Sequence, residues 1–497
     1  MGEIVTFSKT VQGHLHIRKN VECQDASISF SEENGRYFVA IISDGHGDPA
    51  CLRSSRGAKF AVDIAKNVLL DFAELILDEN GDLKPEYVAE MVSPTQRKHK
   101  IKQITDIIVS KWYQVINDDI SNEPLTEEDF EKAGDWGNVY RTGERLEHIY
   151  GATLIAALRT KDYMILIQQG DGRCDVFYAD ATVEQPIPWD DRCHENVTTS
   201  MCDNDVATSF RHCVINLSEK DVIACYVGSD GIEDSFRNME GTHSFYRKIT
   251  VDLFEKGIDN FKLYLADFLP CVSELGSGDD ISIAGIVDVE AVEPYIEKFR
   301  INSKRYDISE EIYSLEQRYN SMQRKHGILK KRAEEAKNAL EESIKACNIH
   351  KEKIVAITSE IKKIENELQD AQIVVDQTNE DAEEILEYIE KQHDEDTFFN
   401  LFKRCFVEPG KIITYVHEKV YAQKEKVKMN YEQTKDELDR KTEELKSEQA
   451  LNEDISAEAD KLKLSYEMEL KEFTEYDNEY NRIAEEIKRL QVLLDTM

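Results

Sequence analysis

Short apolar runs that stop on an Asp-Gly step recur along the first three-fifths of the chain. Phe38 to Ile42 is five apolar residues followed by Ser43-Asp44-Gly45-His46-Gly47. Such a run reads as a short buried strand, broken sharply by the Asp-Gly turn. Tyr163 to Ile167 leads into Gly170-Asp171-Gly172-Arg173, and Val222 to Val227 leads into Ser229-Asp230-Gly231. A fourth case runs in reverse, with Gly278-Asp279-Asp280 just before Ile281-Ser282-Ile283-Ala284. Acids at the ends of several buried strands can converge, and gathered carboxylates suit a hard divalent cation.

Around these turns the pattern predicts antiparallel strands within 3–42, where short apolar runs alternate with polar breaks. Residues 54–77 have helical periodicity, with Phe60, Ile64, Val68 and Leu69 on one face. One or two further helices follow over 87–120, then a polar surface connection over 121–147. Strands are expected near 153–158, 163–168, 174–178, 222–227 and 281–287, with a helix near 244–269. Residues 180–212 have no clean period and read as a long loop with helical pieces, a length that is often functional. These elements make a first domain, residues 1–295.

From Arg300 the pattern changes. Ile354, Ile357, Ile361, Ile364, Leu368 and Ala371 step by three and four, as do Tyr480, Ile483, Ile487, Leu490 and Leu494. These are heptad seams, so residues 300–497 are expected to form a coiled coil. Pro409-Gly410 stops a helix and separates two arms of nearly equal length. Equal arms suit an antiparallel hairpin, whose apolar tip would lie near 397–410, around Phe398, Phe399, Leu401, Phe402 and Phe406.

Composition narrows the partners. A net charge of −37 argues against nucleic acid and anionic membranes, because the field repels phosphates at long range. A phosphate site remains possible wherever bound divalent cations invert the local charge. No run reaches the roughly 18 apolar residues of a membrane span. Ten scattered cysteines without a CxxC pair suit a reducing, cytoplasmic compartment. Met1-Gly2-Glu3-Ile4-Val5-Thr6 fits a myristoylation pattern but reads as a start followed by a first strand.

Five motifs then carry a resemblance. Ser43-Asp44-Gly45-His46-Gly47, Tyr150-Gly151-Ala152-Thr153, Gly170-Asp171-Gly172-Arg173, Ser229-Asp230-Gly231-Ile232-Glu233-Asp234 and Asp279-Asp280-Ile281-Ser282 follow one another in this order. The series resembles that of the metal-dependent serine/threonine protein phosphatases of the 2C type. Cys23-Gln24-Asp25-Ala26 looks like the opening motif of the bacterial branch. The resemblance covers about residues 3–290 and leaves the helical tail unexplained.

It implies an α+β fold of two packed antiparallel β-sheets flanked by helices, which agrees with the element order above. Asp44 would bridge two Mn²⁺ or Mg²⁺ ions, with the Gly45 carbonyl on one of them. Asp230 and Asp279 would complete the first metal, and Asp25 would sit beside the second. Asp171 and Asp234 would hold a weaker third ion, and His46 would protonate the leaving oxygen. Asp280 is read as supporting its loop.

There are departures from the pattern. Gln24 stands where many relatives carry a ligand Glu, and Gly172 where a Ser is usual. Asn20 stands where the phosphate-gripping arginine lies, which leaves Arg18 as the candidate for that role. No Cys-x5-Arg loop supports a cysteinyl-phosphate route. The expected function is hydrolysis of phosphoserine and phosphothreonine on protein substrates, in signalling. The coiled coil would direct partner binding or self-association. The alternative is a catalytically weak phosphatase-like scaffold that binds phosphoproteins.

Overall fold

The computed structural model describes residues 3–194, 197–376 and 424–497. It divides into two compact units, Met1–Glu311 with Leu493–Met497, and Ile312–Val492.

The first unit runs β1 (Ile4–Val11), α1 (His14–Lys19), β2 (Ala26–Ser31), β3 (Tyr37–Ser43), α2 (Ser54–Ile76), α3 (Pro85–Val92) and α4 (Pro94–Asn122). It continues with α5 (Glu127–Lys132), α6 (Asp135–Arg141), β4 (Leu154–Thr160), β5 (Tyr163–Gln169), β6 (Arg173–Tyr178) and β7 (Val183–Glu184). Then come α7 (Val206–Ser209), β8 (Arg211–Asn216), β9 (Val222–Gly228), α8 (Asp230–Glu233), α9 (Met239–Leu275), β10 (Ile281–Asp288) and α10 (Val289–Val292). Two helices follow, α11 (Ile296–Asp376) and α12 (Lys424–Thr496).

Two five-stranded antiparallel sheets, ordered β1-β10-β9-β6-β7 and β2-β3-β4-β5-β8, pack face to face. Strand β3 shows why. Its alternate residues Phe38, Ala40 and Ile42 face the other sheet, among Ile155, Leu166, Val176, Cys225 and Ile286. Val39 and Ile41 face the opposite way, onto α2 and α4. Both faces are covered, so the strand reads as a continuous apolar run rather than an alternating one. On the far side β9 does the same, with Ala224 and Tyr226 against Phe245, Tyr246 and Ile249 of α9. The result is four layers, helix–sheet–sheet–helix. Truncating the fully buried Ile42 to Ala should cost ~2–5 kcal/mol, measured by denaturant unfolding.

Three local features go beyond the sequence reading. The segment between β1 and β2 folds its first half into α1, a single short helix. Residues 121–147, expected as a plain connection, hold α5 and α6, and a Thr126–Asp129 capping box starts the former. Helix α9 is broken at Gly257, whose φ of 70° lies outside any helix.

In the second unit α11 and α12 run antiparallel. Tyr319 stacks on Tyr480 at 4.3 Å, Cys347 Sγ lies 3.5 Å from Asn452 Oδ1, and Lys441 pairs with Glu360 at 2.8 Å. Numbers rise on one arm as they fall on the other. The seam residues Ile354, Ile357 and Ile361 bury against Leu445, so each arm covers the other's apolar stripe. Polar groups also enter the seam: His326 pairs with Asp477 and His350 with Glu448. The expected apolar tip at 397–410 lies outside the described residues.

The pairing makes a direct prediction. Asn452→Cys places a second thiol beside native Cys347. Mild oxidation of the dilute monomer should then join the two thiols in an intrachain disulfide, read by mass spectrometry of the linking peptide. A crosslink found only between two chains would contradict the hairpin.

Candidate metal centre

Strand register brings the acids together. β2 and β3 pair Ala26 with Ser43, so the next residues outward, Asp25 and Asp44, leave the sheet side by side. β9 and β6 both end at this same edge, pairing Gly228 with Arg173. The Ser229 N–H donates to the Ser282 carbonyl at 3.0 Å, and the Ser282 N–H donates to Ser229 Oγ at 2.9 Å. These bonds seat Asp230 next to the loop that carries Asp279 and Asp280. A Cβ on Gly231 would stand 2.1 Å from the Asp280 carbonyl oxygen, so only glycine lets the two segments approach this closely. Gly45 is similarly confined, its missing Cβ 2.5 Å from the Gln24 carbonyl.

The carboxyls form a graded bowl. Asp25 is buried at its floor, Asp44, Asp171 and Asp230 are half-buried, and Asp234 and Asp279 are exposed at its rim. The Asp44 side chain hydrogen-bonds to Asp25 on one side and Asp230 on the other. Burial, then the charges of Asp25 and Asp230, push the Asp44 carboxyl well above the usual carboxylate range. Burial and the charge of Asp280 do the same to Asp25, against hydrogen bonds from Asp44 and Ser282. Asp230 is pushed up to about 6 by burial and by Asp171, Asp279 and Asp234, against a hydrogen bond from Asp44. Asp171 is raised by burial, although Thr198 hydrogen-bonds to it. Asp234 is raised by burial and by Glu233. Without a cation, burial and crowding favour the neutral form of each of these groups.

The donor set fits a hard divalent cation. Asp25 Oδ2 and Gln24 Oε1 are buried with no hydrogen-bond partner, an expensive state unless something positive meets them. The amide of Gln24 is fixed in orientation, because its Nε2 donates to Ser54 Oγ at 2.7 Å and to the His46 carbonyl at 3.2 Å. Its oxygen is therefore the end left free. Asp280 serves the loop: its Oδ1 accepts from the Gly13 N–H at 2.6 Å and its Oδ2 from the Gln24 N–H at 2.7 Å.

Neither Arg18 nor His46 pairs with a described carboxylate of the bowl. Arg18 is exposed on α1 and makes no ion pair with a described residue. His46 Nε2 lies 2.7 Å from Ser200 Oγ, and burial together with His148 pushes its pKa down to about 4. It is a neutral imidazole tying the turn to the long loop. A proton-donor role would require it to leave Ser200.

The sequence reading missed residues that touch the cluster. Thr198 reaches Asp171, Ser282 reaches Asp25, and His16 lies against both Asp279 and Asp280. His16 sits two positions from Arg18, but only the one-turn helix α1 turns it inward. A six-residue helix leaves almost no periodic signal.

The family model for Protein phosphatase 2C matches residues 12–269, just over half of the chain. No curated protein matches. Among solved structures, a bacterial serine phosphatase is 15% identical, covering 58% of this chain and 98% of its own, with a TM-score of 0.35. The serine/threonine phosphatase Stp1 from Staphylococcus aureus is 15% identical, covering 58% and 95%, with a TM-score of 0.35. The catalytic domain of the serine/threonine protein phosphatase PstP, in complex with two manganese ions, is 11% identical, covering 57% and 97%, with a TM-score of 0.33. The match spans Asp25, Asp44, Asp171, Asp230 and Asp234 of the acidic bowl and ends before Asp279, and on that match the chain belongs to the protein phosphatase 2C family, the metal-dependent serine/threonine protein phosphatases.

Proposed function

We propose that the first unit hydrolyses phosphoserine and phosphothreonine on proteins, using two divalent cations, Mn²⁺ or Mg²⁺, held at the acidic bowl. The observation that carries this reading is the Asp25–Asp44–Asp230 cluster, together with the unpartnered oxygens of Asp25 and Gln24. Asp44 lies between the other two and is the natural bridge. Asp230 and Asp279, with the Gly45 carbonyl nearby, would serve one ion. Asp25 and the Gln24 amide oxygen would serve the other. Asp171 and Asp234 would take a weaker third ion near the rim. Bound there, the cations would cancel the charge of a phosphate dianion and make water a better nucleophile at neutral pH.

The chain's own residues do the rest. Ser282 and Ser229 fix the two acid-bearing segments, and Thr153 accepts from the Asp44 N–H through its Oγ1 at 3.0 Å, locking the turn. We assign partner binding to the antiparallel coil, and a cytoplasmic compartment to the chain. No described helix is long and apolar enough to cross a membrane. A second reading, phosphoprotein binding with weak turnover, is favoured by the exposed Arg18 and by His46 facing Ser200. Turnover separates the two.

Hydrolysis of a phosphothreonine peptide should require added Mn²⁺ or Mg²⁺ and stop in EDTA. Asp44→Asn and Asp230→Asn should each lower kcat/KM by about 100-fold or more. Metal-independent turnover, or full activity in both variants, would overturn the reading. Metal-dependent phosphopeptide binding with no turnover would select the scaffold.

Protons compete with metal at these sites, which gives a pH signature. A carboxyl whose folded pKa is raised stabilises the fold fully below its unfolded value near 4. That contribution is lost as pH rises through the folded value. In EDTA, Tm should therefore fall as pH rises through about 6, the Asp230 value. Asp44→Asn removes one of the crowded acids, so it should flatten this fall and raise metal-free stability at neutral pH by ~1–3 kcal/mol. Coincident wild-type and variant curves in EDTA would show that the acids are not strained.

A further inference from the structure

His16 is held between two carboxylates of a single loop. Its Nδ1 is sealed from solvent and lies 2.9 Å from Asp280 Oδ1 without a well-aligned hydrogen bond, while its Nε2 lies 3.5 Å from Asp279 Oδ1. The two aspartates differ in kind. Asp280 is 2% exposed and already engaged by the backbone N–H groups of Gly13 and Gln24. The Asp279 side chain is 52% exposed and faces the bowl, where it acts on Asp230.

The ring's place is set by backbone. The Leu15 N–H donates to the Gly278 carbonyl at 2.8 Å, and the His14 N–H donates to Ser273 Oγ at 3.0 Å. Ser273 Oγ in turn donates to the Asp279 carbonyl at 2.8 Å. The Leu15 side chain covers Gly278, where a Cβ would stand 2.6 Å from Leu15 Cγ. Helix α1 and the loop 273–280 are thus one rigid piece, and His16 cannot drift from Asp279 without breaking it.

This arrangement has a chemical direction. With the ring proton on Nδ1, on the side of the buried Asp280, the Nε2 lone pair would point outward. Here that lone pair faces Asp279 Oδ1, which also accepts from the Asp280 N–H at 2.8 Å, and a cation between nitrogen and oxygen would satisfy both. A carboxylate behind the ring and a ligand carboxylate in front is the arrangement in which histidine binds metal. The spacing fits as well, since neighbouring donors on one octahedral ion with bonds of about 2.1 Å stand roughly 3 Å apart.

We propose that His16 Nε2 is a ligand of the cation that Asp279 holds, with Asp280 orienting the ring. The proposal rests on the metal-centre reading above and adds a nitrogen donor to what is otherwise an oxygen set. It also gives a role to α1, which precedes the opening motif and carries that nitrogen. A nitrogen donor favours Mn²⁺ over Mg²⁺, because imidazole suits transition metals and Mg²⁺ takes oxygen.

Pulsed electron paramagnetic resonance of Mn²⁺ bound to the full chain tests this without reference to turnover. The wild-type protein should show ¹⁴N modulation from a directly bound imidazole. His16→Gln should still bind Mn²⁺ through the remaining acids, lose the modulation, and lose about tenfold of its preference for Mn²⁺ over Mg²⁺. Wild-type protein labelled with ¹⁵N-histidine should shift the modulation to ¹⁵N frequencies, a control that needs no variant to fold. Bound Mn²⁺ with no nitrogen modulation, or modulation retained in His16→Gln, would overturn the proposal and leave the metal centre standing. Failure to bind Mn²⁺ at all would overturn both.

Discussion

The first unit depends on one unfavourable arrangement, three carboxyls in contact at the edge of a β-sandwich. Asp44 touches Asp25 and Asp230 while burial and neighbouring charge oppose ionisation of all three. A fold tolerates this only if the framework beneath is rigid, and here two sheets and their helices supply that rigidity. β3 contributes Ile41 and Ile42, both 0% exposed, to the two faces of one strand before ending at Asp44. Stability comes from the strand, and the residue after it carries the charge. A divalent cation bound there would offset the cost of the cluster, because the same charge that opposes ionisation attracts it.

The register is how the chain enforces this. Antiparallel pairing aligns the ends of β2, β3, β6, β9 and β10 on one edge, so acids far apart in sequence meet without any long reach. Gly231 and Gly45 let backbones approach where any side chain would collide. The serines at 229 and 282 hold the last pair of segments together. Replacing a carboxylate changes charge; replacing one of these supports changes where the charge stands.

Much of this was legible in the sequence. The continuous apolar runs marked the strands, and the Asp-Gly steps at their ends marked where the acids would gather, because strand and turn chemistry are both local. The heptad steps from Ile354 onward marked the paired helices for the same reason. What could not be read was set by tertiary contact. Helix α1 has one turn and owes its form to Gly278 and Ser273, far along the chain. His46 was expected to protonate the leaving oxygen, and its contact with Ser200, in a loop that has no periodic signal, could not be read. The Gln24 oxygen matched the ligand position, yet its freedom became visible only once Ser54 and the His46 carbonyl were seen to take the nitrogen.

If the bowl is a dinuclear centre, its geometry follows from Asp44 standing between Asp25 and Asp230. The most direct measurement is anomalous scattering at the manganese edge from crystals grown with Mn²⁺. The account predicts two strong peaks flanking the Asp44 carboxylate, one shared with Asp230 and Asp279 and the other beside Asp25 and the Gln24 oxygen. Peaks elsewhere on the chain, or none in the bowl at saturating Mn²⁺, would contradict it.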